Sequence, residues 1–240
     1  MQIWSDAVET VRPARGSKDG PLPPLLLLLT VVTGLVDAAS YLNLGHVFVA
    51  NMTGNVIFLG FALAGAPGLS IWASLVAIGA FLIGSISGGR LGRRFSEHRL
   101  QLLRGAAGAQ LVVFAAAVVV AAAGDDPVEQ TRKFVLIALL GFAMGIQNAT
   151  ARRLAVPELT TTVLTMTLTG IGADSTLAGG AGSKLGRRSL AVAAMLLGGL
   201  IGALLALNVD TAAPLAVAAV VLAVVALAAH ALSKSEAVAA

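Results

Sequence analysis

The sequence contains no cysteine and little charge. Asp, Glu, Lys and Arg make up 12% of its 240 residues, about half the share found in an ordinary soluble domain. Without cysteine there is no disulfide framework and no thiolate chemistry. The low charge, beside a hydrophobic share of 57%, excludes an ordinary soluble globular protein and indicates one that lies in a membrane.

Familiar catalytic and metal-binding patterns are also missing. The three histidines, His46, His98 and His230, are scattered and lack the spacing of metal ligands. No paired carboxylates, Ser-His-Asp arrangement or phosphate-binding loop is visible. We therefore expect no metal, no cofactor and no enzymatic activity.

What is present is a series of continuous apolar runs. A helix crosses a bilayer with about 20 apolar residues, and backbone groups in lipid must be satisfied within the segment. The alternating pattern of a membrane β-barrel is absent. The sequence therefore predicts an all-α membrane protein. Its apolar segments are Leu22–Asn43, His46–Ala64, Ser70–Gly89, Ala106–Ala123, Phe134–Thr150, Pro157–Ala178, Ser189–Leu207 and Ala212–Leu232.

The net charge of +4 does not indicate a nucleic-acid partner. The basic residues form short clusters between apolar runs, which is typical of topology signals. Such clusters also meet the anionic lipids of a cytoplasmic leaflet. The expected partner is therefore the lipid bilayer.

The two halves of the chain resemble each other. When Gly34 is aligned with Gly145, Asp37 falls on Asn148 and, with one residue inserted, Thr53 falls on Thr165. Glycines spaced by four suit close helix packing and recur at matching places, in the pairs Gly84 and Gly88, and Gly198 and Gly202. These small-residue faces also make a homodimer possible.

Charge favours six crossings. If all eight apolar segments crossed, the basic loops Arg90–Arg104 and Lys184–Arg188 would lie on opposite sides, against the cytoplasmic preference of Lys and Arg. The conflict disappears if His46–Ala64 and Pro157–Ala178 are re-entrant or broken segments. We therefore predict two inverted repeats of three spans, with both termini cytoplasmic. If His46–Ala64 instead crosses the membrane, the N-terminal arm lies outside and the chain has seven spans.

The same reading divides the chain into five parts. Residues 1–21 are predicted to be a disordered arm, because Pro13, Gly16, Gly20 and Pro21 disfavour a helix. Residues 22–123 and 134–232 form the two repeats. Residues 124–133, with Asp125 and Asp126, form an extracytoplasmic linker, and residues 233–240 form a tail.

Asp37 is the sharpest candidate for a functional site. A carboxylate inside a membrane helix costs about 2.5–3.5 kcal/mol and usually faces a cavity or a partner. Its role is either structural, as a cap on a neighbouring helix or a partner of Thr or Asn, or functional, as a coupling site for a proton or cation. Asp174, outside the repeat pattern, is expected to pair with Lys184 or Arg187.

Polar residues in the two re-entrant segments, and two at the end of the span Phe134–Thr150, extend this candidate site. Glycine permits a break in a helix, and amides and hydroxyls can replace the hydration shell of a solute. The alternative is that these groups only satisfy the broken backbone. The candidates are Asn51, Thr53, Gly54 and Asn55 in the first half, and Gln147, Asn148, Thr162, Thr165 and Thr167 in the second.

These motifs resemble a known family. The run from Gly34 to Ala38, followed by the run from Phe48 to Asn55, is similar to the signature of the YoaK family, called domain of unknown function 1275. The resemblance extends over residues 25–232. It implies a bacterial integral membrane protein of about six spans, and it supplies no established activity. The family often has Thr-Gly where this chain has Thr165-Met166.

Together with the resemblance, the residues predict a small transporter or channel in the bacterial inner membrane for a small polar solute, proton or cation, with its path between the repeats. The rival prediction is a membrane scaffold or accessory subunit that transports nothing. In that protein the polar side chains only hold helices together.

Overall fold

In the computed structural model, residues 2–14, 16–124, 127–180 and 182–239 are described, and these ranges contain helices but no strand. The helices are α1 Gln2–Val11, α2 Leu22–Asn43, α3 Met52–Leu63, α4 Ile71–Arg94, α5 Arg99–Ala122, α6 Gln130–Leu154, α7 Leu164–Ala173, α8 Leu185–Asn208 and α9 Ala212–Ala239. A short 3₁₀ helix, Thr176–Ala178, follows α7. The predicted acidic turn at Asp125 and Asp126 lies outside the described residues.

Six helices, α2, α4, α5, α6, α8 and α9, are long and apolar enough to cross a bilayer. The two other apolar helices, α3 and α7, have 12 and 10 residues. At 1.5 Å per residue they are about 18 and 15 Å long, against roughly 30 Å of hydrocarbon. The prediction of an all-α membrane protein with six spans and two shorter helical segments is confirmed.

Three spans begin where the other three end. Arg99, the first residue of α5, donates to the carbonyl oxygens of Leu154 at the end of α6 (2.6 Å) and of Lys18 just before α2 (3.2 Å). Arg187, at the start of α8, lies 3.6 Å from the Asp19 carboxylate. We call this the basic end of the bundle: α2, α5 and α8 begin there, and α4 and α6 end there.

Two further contacts complete the helix directions. Arg104 in α5 lies 3.0 Å from the His230 ring nitrogen, so α9 also ends near the basic end. At the opposite end, the Asn43 amide donates to the Ala206 carbonyl oxygen (3.3 Å) and to the Thr211 hydroxyl (2.9 Å). The ends of α2 and α8 and the start of α9 therefore meet there.

Glycine lets the two halves approach each other closely. A Cβ on Gly84 of α4 would overlap the carbonyl oxygen of Phe142 in α6, and a Cβ on Gly198 of α8 would overlap that of Val31 in α2. In the repeat register Val31 falls on Phe142, so the two crossings are equivalent. Gly88 and Gly202 repeat the pattern one turn later.

The predicted packing role of these four glycines is therefore confirmed, and they are buried inside one molecule. A homodimer stays a prediction, and it would have to use other faces. Large apolar side chains instead project outward from the spans, which implies contact with lipid. Examples are Leu82, Ile83 and Ile86 on α4, Leu196, Leu200 and Leu204 on α8, and Val220, Val224 and Leu227 on α9.

The prediction of a disordered arm over residues 1–21 is wrong for α1. The prolines and glycines that suggested disorder all follow this helix, so they do not interrupt it. Thr10 is buried, and its hydroxyl accepts a hydrogen bond from Arg187 Nε of α8 (3.2 Å). Trp4 and Val8 are exposed on the other side of α1. Packing against α8 stabilises this helix.

Candidate functional site

The first broken segment, residues 44–63, turns back into the bundle immediately after α2. Gly45 and His46 have φ angles of 97° and 56°, which reverse the chain direction. The following stretch is not helical, and Val47, Val49 and Ala50 within it are buried. Its backbone donors therefore need partners away from water.

Asp37 supplies those partners. Its side chain is 6% exposed. Oδ1 accepts hydrogen bonds from the backbone N–H groups of Val49 (3.0 Å) and Ala50 (2.9 Å), and Oδ2 accepts one from the Asn51 side-chain amide. Asp37 lies six residues before the end of α2, which is about 9 Å into the span. The carboxylate thus holds the first broken segment at that depth.

Asn55 and Gly54 fix Phe48 in the same segment. Asn55 is fully buried, and its Oδ1 accepts a hydrogen bond from the Phe48 N–H (2.9 Å) while its Nδ2 donates to the Phe48 carbonyl oxygen. A Cβ on Gly54 would lie 2.7 Å from the Phe48 ring. Glycine is therefore needed here for the ring to pack against α3.

A cluster of aromatic rings forms around Phe48. The Phe48 ring stacks on Tyr41 and Phe58, with centroids 5.1 and 5.6 Å apart, and His46 meets the edge of Tyr41 at 5.1 Å. This cluster was not predicted from the sequence. Aromatic residues make up only 5% of the chain, so their concentration between Tyr41 and Phe61 was an available signal.

The second broken segment, residues 155–173, repeats the arrangement in α6 and α7. Ala155, Glu158 and Thr161 have positive φ angles of 50°, 67° and 64°. The Thr162 hydroxyl donates to Asn148 Oδ1, and Asn148 Nδ2 donates to the Met144 carbonyl oxygen (2.9 Å). An amide therefore replaces the carboxylate of the first half.

Gln147 connects the two halves near this point. It is fully buried, and its Nε2 donates to the Leu29 carbonyl oxygen (3.1 Å) and the Thr33 hydroxyl (2.9 Å), both in α2. Its Oε1 is buried and has no hydrogen-bond partner among the described residues. Such an oxygen is costly in a dry interior, so it marks a place where a water or a solute group would be stabilised.

The three remaining candidates lie on the short helices. Thr53 and Thr165 are exposed on α3 and α7, and no hydrogen bond among the described residues joins either to Asp37 or Asn148. Thr167 is buried, with its hydroxyl 3.5 Å from the Val163 carbonyl oxygen. The structure therefore brings the predicted residues together as local pairs.

A buried arginine on α8 was also missed. Arg188, with a side chain 7% exposed, pairs with Glu158 (2.7 Å) and Asp174 (2.6 Å). The predicted partners of Asp174, Lys184 and Arg187, are wrong: the α7–α8 connection brings the buried face of α8 to the carboxylate. A side chain at Gly170 would overlap the Arg188 guanidinium. The ion cluster therefore docks the second broken segment onto α8.

A cavity of about 910 Å³ opens beside Asn148, between α4, α6 and the second broken segment. Its polar lining comes from Ser85, Asn148, Arg152, Arg153 and Thr160. Arg152 and Arg153 form the last turn of α6, at the basic end. Asn148 lies about 7.5 Å deeper along that helix.

The described residues contain no group of three or more His, Asp or Glu side chains that could hold a metal ion. The polar groups around Asp37 and Asn148 are instead amides, hydroxyls and backbone N–H groups. Such groups suit the recognition of a polar solute by hydrogen bonds.

Comparisons with known proteins support the resemblance noted in the sequence. No solved structure matches the chain. A transmembrane protein of Bacillus subtilis (strain 168), described as UPF0700 transmembrane protein YoaK, is 33% identical over 153 residues. That alignment covers 62% of this chain and 65% of the relative, so it spans slightly less than two thirds of the relative's length. The profile of the family described as "Protein of unknown function (DUF1275)" matches residues 25–228. The chain therefore belongs to the DUF1275 family of membrane proteins.

Proposed function

We propose that the protein is a small inner-membrane transporter or channel for a small polar solute or ion. The observation that carries the proposal is the cavity that opens beside Asn148 near the basic end. In the repeat register Tyr41 takes the place of Arg152, and Tyr41 stacks on Phe48. Aromatic rings therefore fill the space beside the end of α2, whereas the equivalent space beside the end of α6 is an open cavity. A path open at one end and closed at the other is the form expected of one state of a transporter.

The two halves form an inverted repeat in this proposal. Because α2 begins at the basic end and α6 ends there, these equivalent helices run in opposite directions. The same holds for α5 and α9, which approach each other through Arg104 and His230. In the repeat α2 corresponds to α6, and α4 corresponds to α8. The pair α2–α8 is therefore equivalent to the pair α6–α4, in agreement with the matched glycine crossings.

The basic end faces the cytoplasm of a bacterial cell. The arginines at the end of α4, the start of α5 and the end of α6 all lie there, and short cytoplasmic loops carry the excess of Lys and Arg. Both termini then lie on the cytoplasmic side. The cavity beside Asn148 opens inward, and the ring cluster around Phe48 closes the outer end.

Asn148 and Thr162 are the proposed contacts of the solute at the inner end of the path. Their mutual hydrogen bond leaves one Asn148 N–H and further lone pairs for a ligand. Asp37 and Asn51 hold the equivalent position on the outer side. A state open to the outside would require the Phe48 rings to separate, while α4 and α6 close over Asn148.

The first test uses the chain's lack of cysteine. Ser85→Cys places a thiol in the cavity. Ser87→Cys is a matched control on the same helix, because the half-buried Ser87 does not line the cavity and donates to the Ile83 carbonyl oxygen. In inside-out vesicles we expect a membrane-impermeant thiol reagent to label Ser85→Cys and spare Ser87→Cys. Equal, slow labelling of both would contradict an aqueous path.

The second test is flux. Purified protein in proteoliposomes is assayed with a panel of labelled polar solutes and ions, for wild type, Ser85→Ala and Ser87→Ala. We expect uptake above that of empty liposomes, reduced by Ser85→Ala and unchanged by Ser87→Ala. Folding of each variant is checked by its elution profile and Tm.

The alternative function, a scaffold or accessory subunit without transport, has its own supporting observation. Asp37 and Asn55 accept hydrogen bonds from three backbone N–H groups and one side-chain amide of the first broken segment. Such groups could serve only to satisfy a broken backbone. A protected thiol at position 85, together with no flux of any solute in the panel, would favour the scaffold.

A further inference from the structure

We propose that the cavity beside Asn148 binds an anionic group, a phosphate or carboxylate, through Arg152 and Arg153. This inference rests on the proposed function for the route of the ligand, but not for the binding itself. Among the described residues that line the cavity, Arg152 and Arg153 carry the only charges. The site therefore has two guanidinium groups at its mouth and Ser85, Asn148 and Thr160 further along its wall.

Three carboxylates at the basic end are paired with arginines other than Arg152 and Arg153, and Glu97, also at that end, forms no ion pair with either of the two among the described residues. Glu158 and Asp174 bind Arg188, and Asp19 binds Arg99 and Arg187. No ion pair within the described part of the chain involves Arg152 or Arg153. Their charge is thus available to a ligand, and guanidinium groups match the oxygens of carboxylates and phosphates with paired hydrogen bonds.

The fold holds these arginines at the cavity wall. Gly92 of α4 faces Arg153, since a Cβ there would lie 3.2 Å from Arg153 Cγ. The side chain can therefore lie across α4 and line the cavity. Because Arg152 and Arg153 occupy the last turn of α6, the helix dipole places about half a negative charge nearby. Two full positive charges exceed that, so the mouth is net positive.

The size and the polar groups define the ligand class. A volume of about 910 Å³ falls within the range of small-molecule sites. An anionic group bound at Arg152 and Arg153 would leave room for the polar remainder of the ligand. That part would reach Asn148, about 7.5 Å away along α6, and Ser85 on the facing helix α4. Two sources offer this chemistry: a free organic anion, and the headgroup of an anionic lipid entering from the leaflet.

The test measures Tm of the full chain in nanodiscs of phosphatidylcholine. Glycerol 3-phosphate is the anionic probe and glycerol its uncharged match. The double variant R152Q/R153Q removes the proposed site, and R93Q/R94Q removes two positive charges from exposed positions at the same end that do not line the cavity. Elution profiles verify that both variants fold.

We expect glycerol 3-phosphate, and not glycerol, to raise Tm of wild type and R93Q/R94Q, with affinity at least about tenfold weaker in R152Q/R153Q. That result identifies a free anion. If only nanodiscs containing phosphatidylglycerol raise Tm, and R152Q/R153Q abolishes the rise, the anionic group belongs to a lipid. No shift with either anion, or equal shifts in all three proteins, would overturn the proposal.

The two proposals fail separately. Labelling of Ser85→Cys and flux of an uncharged solute, without any anion-dependent shift of Tm, would remove the anion site and leave transport intact. Anion binding that requires Arg152 and Arg153, in a protein that moves none of the bound anion, would remove transport and leave the site.

Discussion

Asp37 and Asn51 are joined side chain to side chain across 14 positions of the chain. Asn148 and Thr162 are joined across the same 14 positions in the second half. In each case the first residue of the pair lies in a long helix, and the second lies just before a short helix. The bilayer offers no water to the backbone N–H and C=O groups of the non-helical stretches before the short helices. Each pair therefore anchors a break in helical structure inside the membrane.

Replacement of Asp37 should destabilise the protein strongly. Asp37→Ala removes the acceptor of two buried backbone N–H groups, each costing about 1–3 kcal/mol when left unsatisfied. Asp37→Asn keeps one acceptor oxygen and should fall between Asp37→Ala and wild type. Thermal unfolding in detergent measures the order. A Tm of Asp37→Ala equal to that of wild type would refute the anchoring role.

A methyl group at the helix crossings should separate the two halves. Gly198→Ala places a Cβ against the Val31 carbonyl oxygen, and overpacking of this kind costs about 1–3 kcal/mol. Gly199→Ala is the matched control, since a Cβ there meets nothing within 4 Å. In the control, alanine's helix propensity should leave Tm unchanged or raise it. Equal Tm values for both variants would contradict the close crossing.

Loss of Arg188 should release the second broken segment from α8. Arg188→Gln leaves Glu158 and Asp174 without their cation. Because Asp174 is half exposed, we expect a cost of roughly 2 kcal/mol, between the exposed and buried limits. Hydrogen exchange should accelerate over residues 158–174 and not in α5. Arg187→Gln, which removes a neighbouring arginine that pairs with Asp19 instead, is the control and should leave that region protected.

Single cysteines on the connections test the number of crossings. Glu97 and Leu177 are exposed near the basic end, whereas Ala64 and Asn208 are exposed near the opposite end. We expect thiols at 97 and 177 to react from the cytoplasmic side and those at 64 and 208 from the outside. Labelling of 97 and 177 from opposite sides would mean that a short helix crosses, and the six-span topology would be wrong.

The spans were predictable because hydrophobicity and length suffice to define them. The predicted first span, Leu22–Asn43, coincides with α2, and the break after it was visible in the polar run from Asn51 to Asn55. Helix ends were less accurate. The helix α4 continues to Arg94, beyond the apolar run that ends at Gly89, because arginines at the membrane surface can continue a helix that hydrophobicity no longer marks.

Contacts between distant segments were not predictable. Hydrophobicity placed Asp174 near a basic loop, but only the packing of α7 on α8 selects Arg188 from its neighbours. For Asp37 the sequence raised two possibilities, and the geometry adds its three N–H donors. The ring cluster around Phe48 depends on a turn at Gly45 and His46 whose shape does not follow from composition.

The glycine crossings have a consequence for how such a chain could have arisen. At these crossings α2 packs against Gly198 of α8, and α4 packs through Gly84 against α6. Each crossing therefore pairs a helix of one half with a helix of the other half. If the halves are inverted as proposed, a half-length ancestor could cover these helix surfaces only by pairing with a copy inserted in the opposite orientation. Such an ancestor would have needed weakly biased loop charges, so that both orientations were made. Fusion of two copies would then have allowed Arg152 and Tyr41 to diverge at one shared position.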